Sequence, residues 1–291
     1  MSSPWLVFPL TWLITGAASG FGLELTRLAL SNGHKVIATS RNPARNSELV
    51  SEIKALGGDW RALDVDDPDC GSLIRQIEDE GTAIDILVNN AGWSIHGPAE
   101  SFAEDEIRRQ METVFFGPYR LIRAALPYMR QRRRGMIVNM STGAGVMGRE
   151  SMGIYGASKA AMDGLVKILA REVSPFNIRT LTVHLGGFDT NFSNAVQTSK
   201  QPPPADYSGS VTEQVLDSIR GGNFKPDGDH RKAAKAIYEV VVGEGLGKNK
   251  EGERVMHLGR DMSDRMRQVL LALNDQMATF DGIARDVYLE K

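Results

Sequence analysis

The amino-acid sequence predicts an α/β fold: a doubly wound, seven-stranded parallel sheet with helices on both faces, in three layers. Two observations predict it. Short apolar runs alternate with longer segments of helical period from residue 10 to about residue 183. The runs are mostly apolar, as strands buried on both faces should be. Parallel neighbours need a crossover connection, which the helical segments between the runs provide.

The elements follow in order along the chain. Seven runs are predicted as strands: residues 10–15, 35–39, 60–63, 84–89, 136–140, 178–183 and 255–258. The segments between and after them are predicted as helices, several of which end at a glycine: residues 21–31, 44–56, 68–80, 103–134, 155–173, 231–242 and 261–277.

One long stretch, residues 185–229, shows no regular period and contains three consecutive prolines at residues 202–204. Irregular stretches of this length inside a domain are typically functional, so we predict a lid over a ligand site here. Neither a repeat nor a linker divides the sequence, and we predict a single domain over residues 1–291.

Composition and charge exclude several classes of protein. The 291 residues are 42% hydrophobic and 24% charged, which excludes a collagen-like or disordered chain. Thirty-four Lys and Arg against thirty-six Asp and Glu give a net charge of −2, so no overall field favours nucleic acid or an anionic membrane. The arginine-rich run at residues 130–134 lies at a predicted helix end, where cations complement the helix dipole.

The first residues, the cysteine content and the apolar runs of the sequence indicate where in the cell the protein is expected. The single cysteine, Cys70, cannot form an internal disulfide. Residues 1–4 lack a basic segment and Pro9 interrupts the apolar stretch after them, so a signal peptide is not expected. No run reaches the roughly 20 apolar residues of a membrane span. We expect a cytoplasmic protein without a membrane span.

A glycine-rich turn directly follows the first predicted strand: Thr15-Gly16-Ala17-Ala18-Ser19-Gly20-Phe21-Gly22. Small residues let the backbone approach a phosphate closely, and the start of the following helix presents unpaired N–H groups and a positive dipole end. The sequence therefore predicts an anion-binding turn in the first βα unit.

Tyr155 and Lys159 lie four residues apart at the start of a predicted helix, so their side chains share one face. A nearby ammonium favours the phenolate and brings the tyrosine pKa toward the range useful for acid–base catalysis. The loop Ser141-Thr142-Gly143 follows the preceding strand. Carboxyl ends of parallel strands meet at one edge of a sheet, where we expect this loop, the pair and the glycine turn to converge.

Together these residues resemble the short-chain dehydrogenase/reductase superfamily in its one-domain, Rossmann-like form. The resemblance rests on the turn at residues 15–22, on Asn89-Asn90-Ala91-Gly92 after the fourth strand, and on Tyr-x-x-x-Lys at residues 155–159. Weaker motifs at Gly186 and Thr190 extend it over essentially the whole chain after residue 10. It implies one dinucleotide-binding and catalytic domain that forms a homodimer or homotetramer.

The resemblance also implies a role for each matching residue. Tyr155 would protonate a carbonyl oxygen or remove a hydroxyl proton in reverse, Lys159 would hold the nicotinamide ribose and lower the tyrosine pKa, and Thr142 would orient the substrate from a place usually held by serine. The implied cofactor contacts come from the glycine turn and from loops after the strands: Thr15, Gly16, Ser19, Gly20, Phe21, Gly22, Asp64, Val65, Asn89, Ala91, Gly92, Gly186 and Thr190.

The end of the second strand, Ser40-Arg41, favours NADP(H) as the cofactor. No acidic residue is present there to bind a free ribose 2′-hydroxyl, whereas a hydroxyl and a guanidinium suit a 2′-phosphate. Ser19 adds no support, because many NADP-using relatives carry a basic residue in its place.

Large apolar side chains fall in loops that, by the family layout, surround the nicotinamide end: Trp93, Met147, Met152, Phe188, Phe192, Tyr207 and Phe224. Adaptable methionines and aromatics suit a small-molecule substrate that is bulky and hydrophobic. The histidines lack metal-ligand spacing, and we expect no metal.

Three positions depart from the family pattern: Thr142, Leu185 in place of a proline, and Val114 in place of an asparagine that helps to hold a water. Either the changes are tolerated, with a slower proton relay, or the site is retuned. Three functions therefore stay open: an NADPH-dependent carbonyl reductase or alcohol dehydrogenase, a cofactor-binding enzyme of isomerisation or cyclisation, and an inactive nucleotide-binding scaffold.

Overall fold

The central sheet of the computed structural model, which describes residues 9–222 and 226–289, has the seven parallel strands that the sequence predicts. They are β1 (Thr11–Ile14), β2 (Lys35–Ser40), β3 (Asp59–Ala62), β4 (Ile86–Asn89), β5 (Gly135–Thr142), β6 (Ile178–Leu185) and β7 (Val255–Leu258). Their spatial order is β7-β6-β5-β4-β1-β2-β3. Because the order reverses between β1 and β4, a crevice opens at the carboxyl ends of these two strands.

Helices cover both faces of the sheet. They are α1 (Gly20–Ser31), α2 (Ser47–Ala55), α3 (Ser72–Asp79), α4 (Glu104–Met111), α5 (Gly117–Gln131), α6 (Ala144–Met147), α7 (Gly153–Glu172), α8 (Val211–Arg220), α9 (His230–Val242) and α10 (Arg260–Arg285). Side chains alternate between faces along a strand. Trp12 of β1 accordingly packs in the core under α1 and α9, and Leu13 packs in the core under α3, α5 and α7. The predicted three-layer fold class is confirmed.

Three predicted elements differ from the structure. The helix expected over 103–134 is divided by a π-helical segment, Glu112–Phe116, between α4 and α5. The last helix does not end at residue 277 but continues to Arg285. The stretch 185–229 is not wholly irregular, because it contains α8, which begins where the Ser210 side chain accepts a hydrogen bond from the Glu213 amide.

Two short parallel strand pairs connect this stretch to the body. Phe188–Asp189 pairs with Gly228–Asp229, and Val196–Thr198 pairs with Ser94–His96. Tyr207 adds a further anchor, since its hydroxyl donates to Glu100 at 2.8 Å. Phe224 and residues 1–8, on which the signal-peptide expectation rests, lie outside the described residues. None of the described helices is both long and apolar enough to cross a membrane.

Candidate active site

The glycine-rich turn joins β1 to α1 at the crevice, where Gly16 and Gly20 adopt positive φ angles of 66° and 53°. At Gly22 a Cβ atom would lie 2.5 Å from the Gly16 carbonyl oxygen, so only glycine fits there. Ser19 is exposed at the N-cap of α1 and makes no side-chain capping bond. The first amide groups of α1 therefore keep their donors for an anion.

Asn90 holds this turn in place, a role that the sequence reasoning missed. Its side-chain amide donates to the carbonyl oxygens of Thr15 and Gly16 at 2.9 and 3.2 Å. In return, the Thr15 hydroxyl accepts from the backbone amides of Asn90 and Ala91 at 2.9 and 3.0 Å. The predicted residues Thr15 and Ala91 are thus part of the scaffold that joins the loops after β1 and β4.

Asn89 and Gly92 provide a test of whether a dinucleotide fits here. The Asn89 side chain is buried, yet its amide nitrogen and oxygen have no hydrogen-bond partner among the residues that the structure describes. Buried polar groups are rarely left unpaired in proteins. A Cβ atom at Gly92 would meet no heavy atom closer than 3.9 Å. An unpaired amide and open space beside a glycine turn fit a polar ligand such as an adenosine moiety.

The end of β2 carries a free cation. Arg41 is exposed and forms no hydrogen bond or ion pair with any described residue. The neighbouring Ser40 is nearly buried, and its hydroxyl accepts from the indole nitrogen of Trp60 at 3.1 Å. The Ser40 hydroxyl therefore already uses one acceptor position within the fold, whereas all donors of the Arg41 guanidinium stay available to a phosphate.

Asp64 and Val65, after β3, differ in accessibility. Asp64 is exposed, and its carboxylate accepts from the Asp66 amide at 3.1 Å. Val65 is buried, and it packs so closely on Gly117 that a Cβ atom there would collide with the Val65 carbonyl oxygen. Val65 thus fixes the start of α5 as well as the edge of the crevice.

Tyr155 and Lys159 lie in the first turns of α7, on one face of the helix as predicted. Both are buried, and the Lys159 ammonium nitrogen lies 5.9 Å from the centroid of the Tyr155 ring. Lys159 donates to the Met140 carbonyl oxygen of β5 at 2.7 Å. The Tyr155 hydroxyl forms no hydrogen bond with any residue that the structure describes. The pair therefore offers a free phenol beside an anchored cation.

Burial sets the protonation state of this pair. It raises the pKa of the Tyr155 phenol well above its ordinary value of 10, and the Asp163 carboxylate raises it further. Burial also lowers the pKa of the Lys159 ammonium to about 8, although Asp163 opposes the change. This change is opposite to the fall expected from the neighbouring lysine, because desolvation of the buried phenolate is the largest influence on the Tyr155 pKa. At neutral pH Tyr155 is a neutral phenol.

Asp163 lies one further turn along the same face of α7, in a cluster that the sequence did not reveal. Its carboxylate accepts from Ser141 at 2.9 Å and from Asn139 at 3.2 Å, both on β5. It also lies 2.9 Å from Nε2 of His184 on β6. His184 in turn contacts His257 of β7, with 3.3 Å between their Nδ1 atoms. These hydrogen bonds hold the Asp163 carboxylate in position on the face of α7 that carries Tyr155 and Lys159.

Thr142, Gly186 and Thr190 lie near the ends of β5 and β6. The Thr142 hydroxyl donates to the Leu185 carbonyl oxygen at 3.3 Å. A Cβ atom at Gly186 would collide with the Asp261 carboxylate, so this glycine lets α10 begin close to β6. The Thr190 side chain lies over the glycine turn, 3.6 Å from the place of a Gly20 Cβ atom. The structure thus brings Thr190 to the predicted cofactor turn.

The predicted substrate residues separate into two groups. Phe192 is 40% exposed and its ring centroid lies 6.3 Å from that of Tyr155, so it borders the site. Phe188 instead packs edge-on against Phe21, with ring centroids 5.4 Å apart. The Trp93 indole donates to Thr113 at 2.9 Å and thereby contacts the π-helical segment.

Met147, Met152 and Val114 are the remaining positions that the sequence singled out near the site. Met147 and Met152 are half-buried on either side of the loop that leads into α7. Val114 is buried within the π-helical segment, a distortion of helices that is frequent at functional sites. Among the described residues, no three His, Cys, Asp or Glu side chains are placed to hold a metal ion.

Comparisons of the sequence and of the fold with known proteins lead to the same family. A family model described as short chain dehydrogenase matches residues 11–201. A 3-ketodihydrosphingosine reductase from Bacteroides thetaiotaomicron is 42% identical over 234 residues, 79% of this chain and 82% of the relative. A crystal structure of a short-chain dehydrogenase from Streptomyces avermitilis superposes with a TM-score of 0.85 at 30% identity, covering 97% of this chain and 100% of that one.

A further solved structure bears on the cofactor. A metagenomic short-chain oxidoreductase in complex with NADP is 29% identical, with a TM-score of 0.58 over 61% of this chain and 82% of its own.

Proposed function

We propose that this chain, which belongs to the short-chain dehydrogenase/reductase superfamily, uses NADPH to reduce the carbonyl group of a bulky hydrophobic substrate. The observation that carries the proposal is the Tyr155 hydroxyl. It is buried on α7 beside the Lys159 ammonium, close to Phe192, and makes no hydrogen bond with any described residue. A proton donor placed in this way is available to a substrate oxygen.

The chemistry assigns a task to each residue of the site. Bound NADPH would supply the hydride to the carbonyl carbon. Tyr155 holds its proton at neutral pH because of its raised pKa, and it donates that proton as negative charge develops on the carbonyl oxygen. The Lys159 ammonium then stabilises the phenolate that remains. Thr142 orients the carbonyl through its hydroxyl, which has to turn away from the Leu185 carbonyl oxygen.

The same protonation state affects the relative rates of carbonyl reduction and alcohol oxidation. Alcohol oxidation needs a phenolate to accept the hydroxyl proton, and burial disfavours that form of Tyr155. Carbonyl reduction needs the neutral phenol, which is the form that dominates at neutral pH. In this proposal reduction is therefore the faster direction at neutral pH, and oxidation becomes faster as the pH rises, while the equilibrium itself is set by the substrate and cofactor couples.

The preference for NADPH rests on Arg41. Its exposed guanidinium forms no hydrogen bond or ion pair with a described residue, although its charge acts on the Asp66 carboxyl. It lies just after β2, where this fold places the adenosine ribose. A planar guanidinium suits a 2′-phosphate because it can donate two parallel hydrogen bonds. The structural relative in complex with NADP supports this choice.

The substrate class rests on the apolar border of the site. Phe192 and the half-buried methionines Met147 and Met152 provide a surface without formal charge. Apolar walls with a few placed polar groups are typical of sites for hydrophobic ligands. The relative named 3-ketodihydrosphingosine reductase, whose name states a reduced ketone, supports a carbonyl substrate.

The test is a spectrophotometric assay of NADPH consumption at pH 7. The panel contains 3-ketodihydrosphingosine, 2-undecanone and, as a charged control, acetoacetate. The two long-chain ketones should be reduced, and Tyr155→Phe should lower kcat roughly 1,000-fold while leaving NADPH binding intact. Tyr128→Phe is the matched control, since Tyr128 only donates to Asp79 at the surface. NADPH binding without consumption of any ketone would support the scaffold function instead.

A further inference from the structure

The C-terminal helix α10 has an apolar surface that the described part of the chain leaves uncovered. Its first turns pack on the body, where Met262 is fully buried and lies against Gly143. From Leu270 to the end of the helix at Arg285, every residue is exposed. Leu273, Met277 and Phe280 are 50%, 72% and 58% exposed. Exposed apolar surface of this extent on one element indicates a binding face.

The spacing of these residues identifies the kind of partner. Apolar residues recur along α10 at intervals of four and three residues in strict alternation: Met266, Leu270, Leu273, Met277, Phe280 and Ala284. This heptad repeat places a stripe along the helix, which is the pattern of a coiled-coil seam. Ile283, 65% exposed, flanks the stripe, and Leu271, 63% exposed, lies outside it. A stripe of this kind fits another helix with the same repeat rather than a flat surface.

The stripe is complementary to itself when two copies run antiparallel. Placing Leu273 against Met277 of a second copy also places Leu270 against Phe280 and Met266 against Ala284, so small and large residues meet. The same register sets Arg267 opposite Asp281 of the second copy, at flanking positions of the seam. Within one copy these side chains pair with Asp264 and Arg285, so the contact between copies would join two existing ion pairs. A parallel pair in register would instead set Arg267 beside Met262 and Asp281 beside Gln276. Charge complementarity therefore favours the antiparallel arrangement.

We propose that α10 pairs with α10 of a second copy of this chain as an antiparallel two-helix coiled coil. The paired segment comprises residues 266–284, about 28 Å of helix. It lies outside the proposed catalytic site, so the pairing and the reductase activity can be tested separately.

The first test measures the mass of the full chain by sedimentation equilibrium between 1 and 100 µM. Leu273→Glu combined with Met277→Glu places charge at the centre of the seam, and it should weaken association roughly 100-fold and halve the mass relative to the parent. Leu271→Glu combined with Ala278→Glu is the matched control, because these exposed residues lie beside the seam. The control should keep the parent mass, and far-ultraviolet circular dichroism should show that both variants stay folded, while loss of the dimer lowers the Tm of the seam variant alone.

The second test measures orientation. Arg267→Glu or Asp281→Arg alone should weaken association, and the two together should restore it, since the pair crosses between antiparallel copies. A Gln276→Cys chain should be cross-linked to a dimer by a short bis-maleimide, whereas Gln268→Cys on the outer face should not; Cys70 is buried. Equal masses for the parent and the seam variant would overturn the proposal. So would a monomeric parent that binds phospholipid vesicles through the same residues.

Discussion

The Lys159 ammonium is buried, and keeping its charge in the interior lowers the free energy of unfolding by an amount that can be measured. The fall of its pKa from 10.5 to about 8 corresponds to about 3 kcal/mol, at about 1.36 kcal/mol for each tenfold change in proton affinity. Lys159→Met removes this cost but leaves the Met140 carbonyl oxygen without its donor, which costs about 1–2 kcal/mol. We therefore expect the variant to be more stable than the parent at pH 7, by about 1–2 kcal/mol, and to lose activity.

The sign of the effect depends on pH. Because the folded-state pKa of Lys159 is lowered, the cost is fully present below about pH 8 and disappears as the pH rises toward 10.5, the unfolded-state value. In that window the unfolded parent binds more protons than the folded parent, so its free energy of unfolding rises with pH. The advantage of Lys159→Met should shrink above pH 8 and reverse near pH 10.

Urea denaturation at pH 7 and pH 10, followed by tryptophan fluorescence, measures both values. Lys167→Met on the exposed face of α7 is the control and should change the free energy of unfolding by less than about 0.5 kcal/mol at pH 7. If Lys159→Met were less stable than the parent at pH 7, with the same difference at pH 10, the argument from burial would be refuted.

Three further predictions concern Arg41 after β2, Asn90 beside the glycine turn and the Asp163 cluster. Arg41→Ala should raise the KM for NADPH about 10-fold to 100-fold and leave that for NADH unchanged, whereas Arg171→Ala, on the surface of α7, should change neither; an equal loss with both cofactors contradicts the assignment. Asn90→Ala should lower the free energy of unfolding by about 2 kcal/mol, because two carbonyl oxygens of the glycine turn lose their donor, and an unchanged denaturation midpoint contradicts this. Asp163→Asn should move the alkaline limb of the kcat profile to lower pH, since the carboxylate holds the pKa of Lys159 up, and an unmoved limb would show that its charge does not act on the site.

The seven strands could be predicted because parallel strands buried on both faces must be apolar and must be separated by helices. The proposed catalytic pair could be predicted because residues four apart on a helix lie on the same face, one turn from each other. Asn89 and Asn90 show the limit of this reasoning. Asn89 is the last residue of β4 and Asn90 follows it, and this one-residue difference decides which side chain clamps the turn and which has no hydrogen-bond partner among the described residues.

The missed features share one cause: their signal lies in tertiary contacts. The Asp163 cluster joins residues of α7, β5, β6 and β7 that are far apart in the sequence. The π-helical segment around Val114 continues the hydrophobic pattern of the helices on either side. The spacing of apolar residues therefore did not reveal the segment. The helix α8 did have a local signal, because Ser210 and Glu213 form the start of a capped helix.

The most direct test of the proposed reaction follows one atom. The chain is incubated with 3-ketodihydrosphingosine and NADPH that carries deuterium in the transferable position at C4, and the product is analysed by mass spectrometry. Hydride transfer predicts an alcohol with one deuterium on the former carbonyl carbon and one NADPH consumed for each alcohol formed. An isomerised or cyclised product without deuterium and with no NADPH consumed would contradict the account.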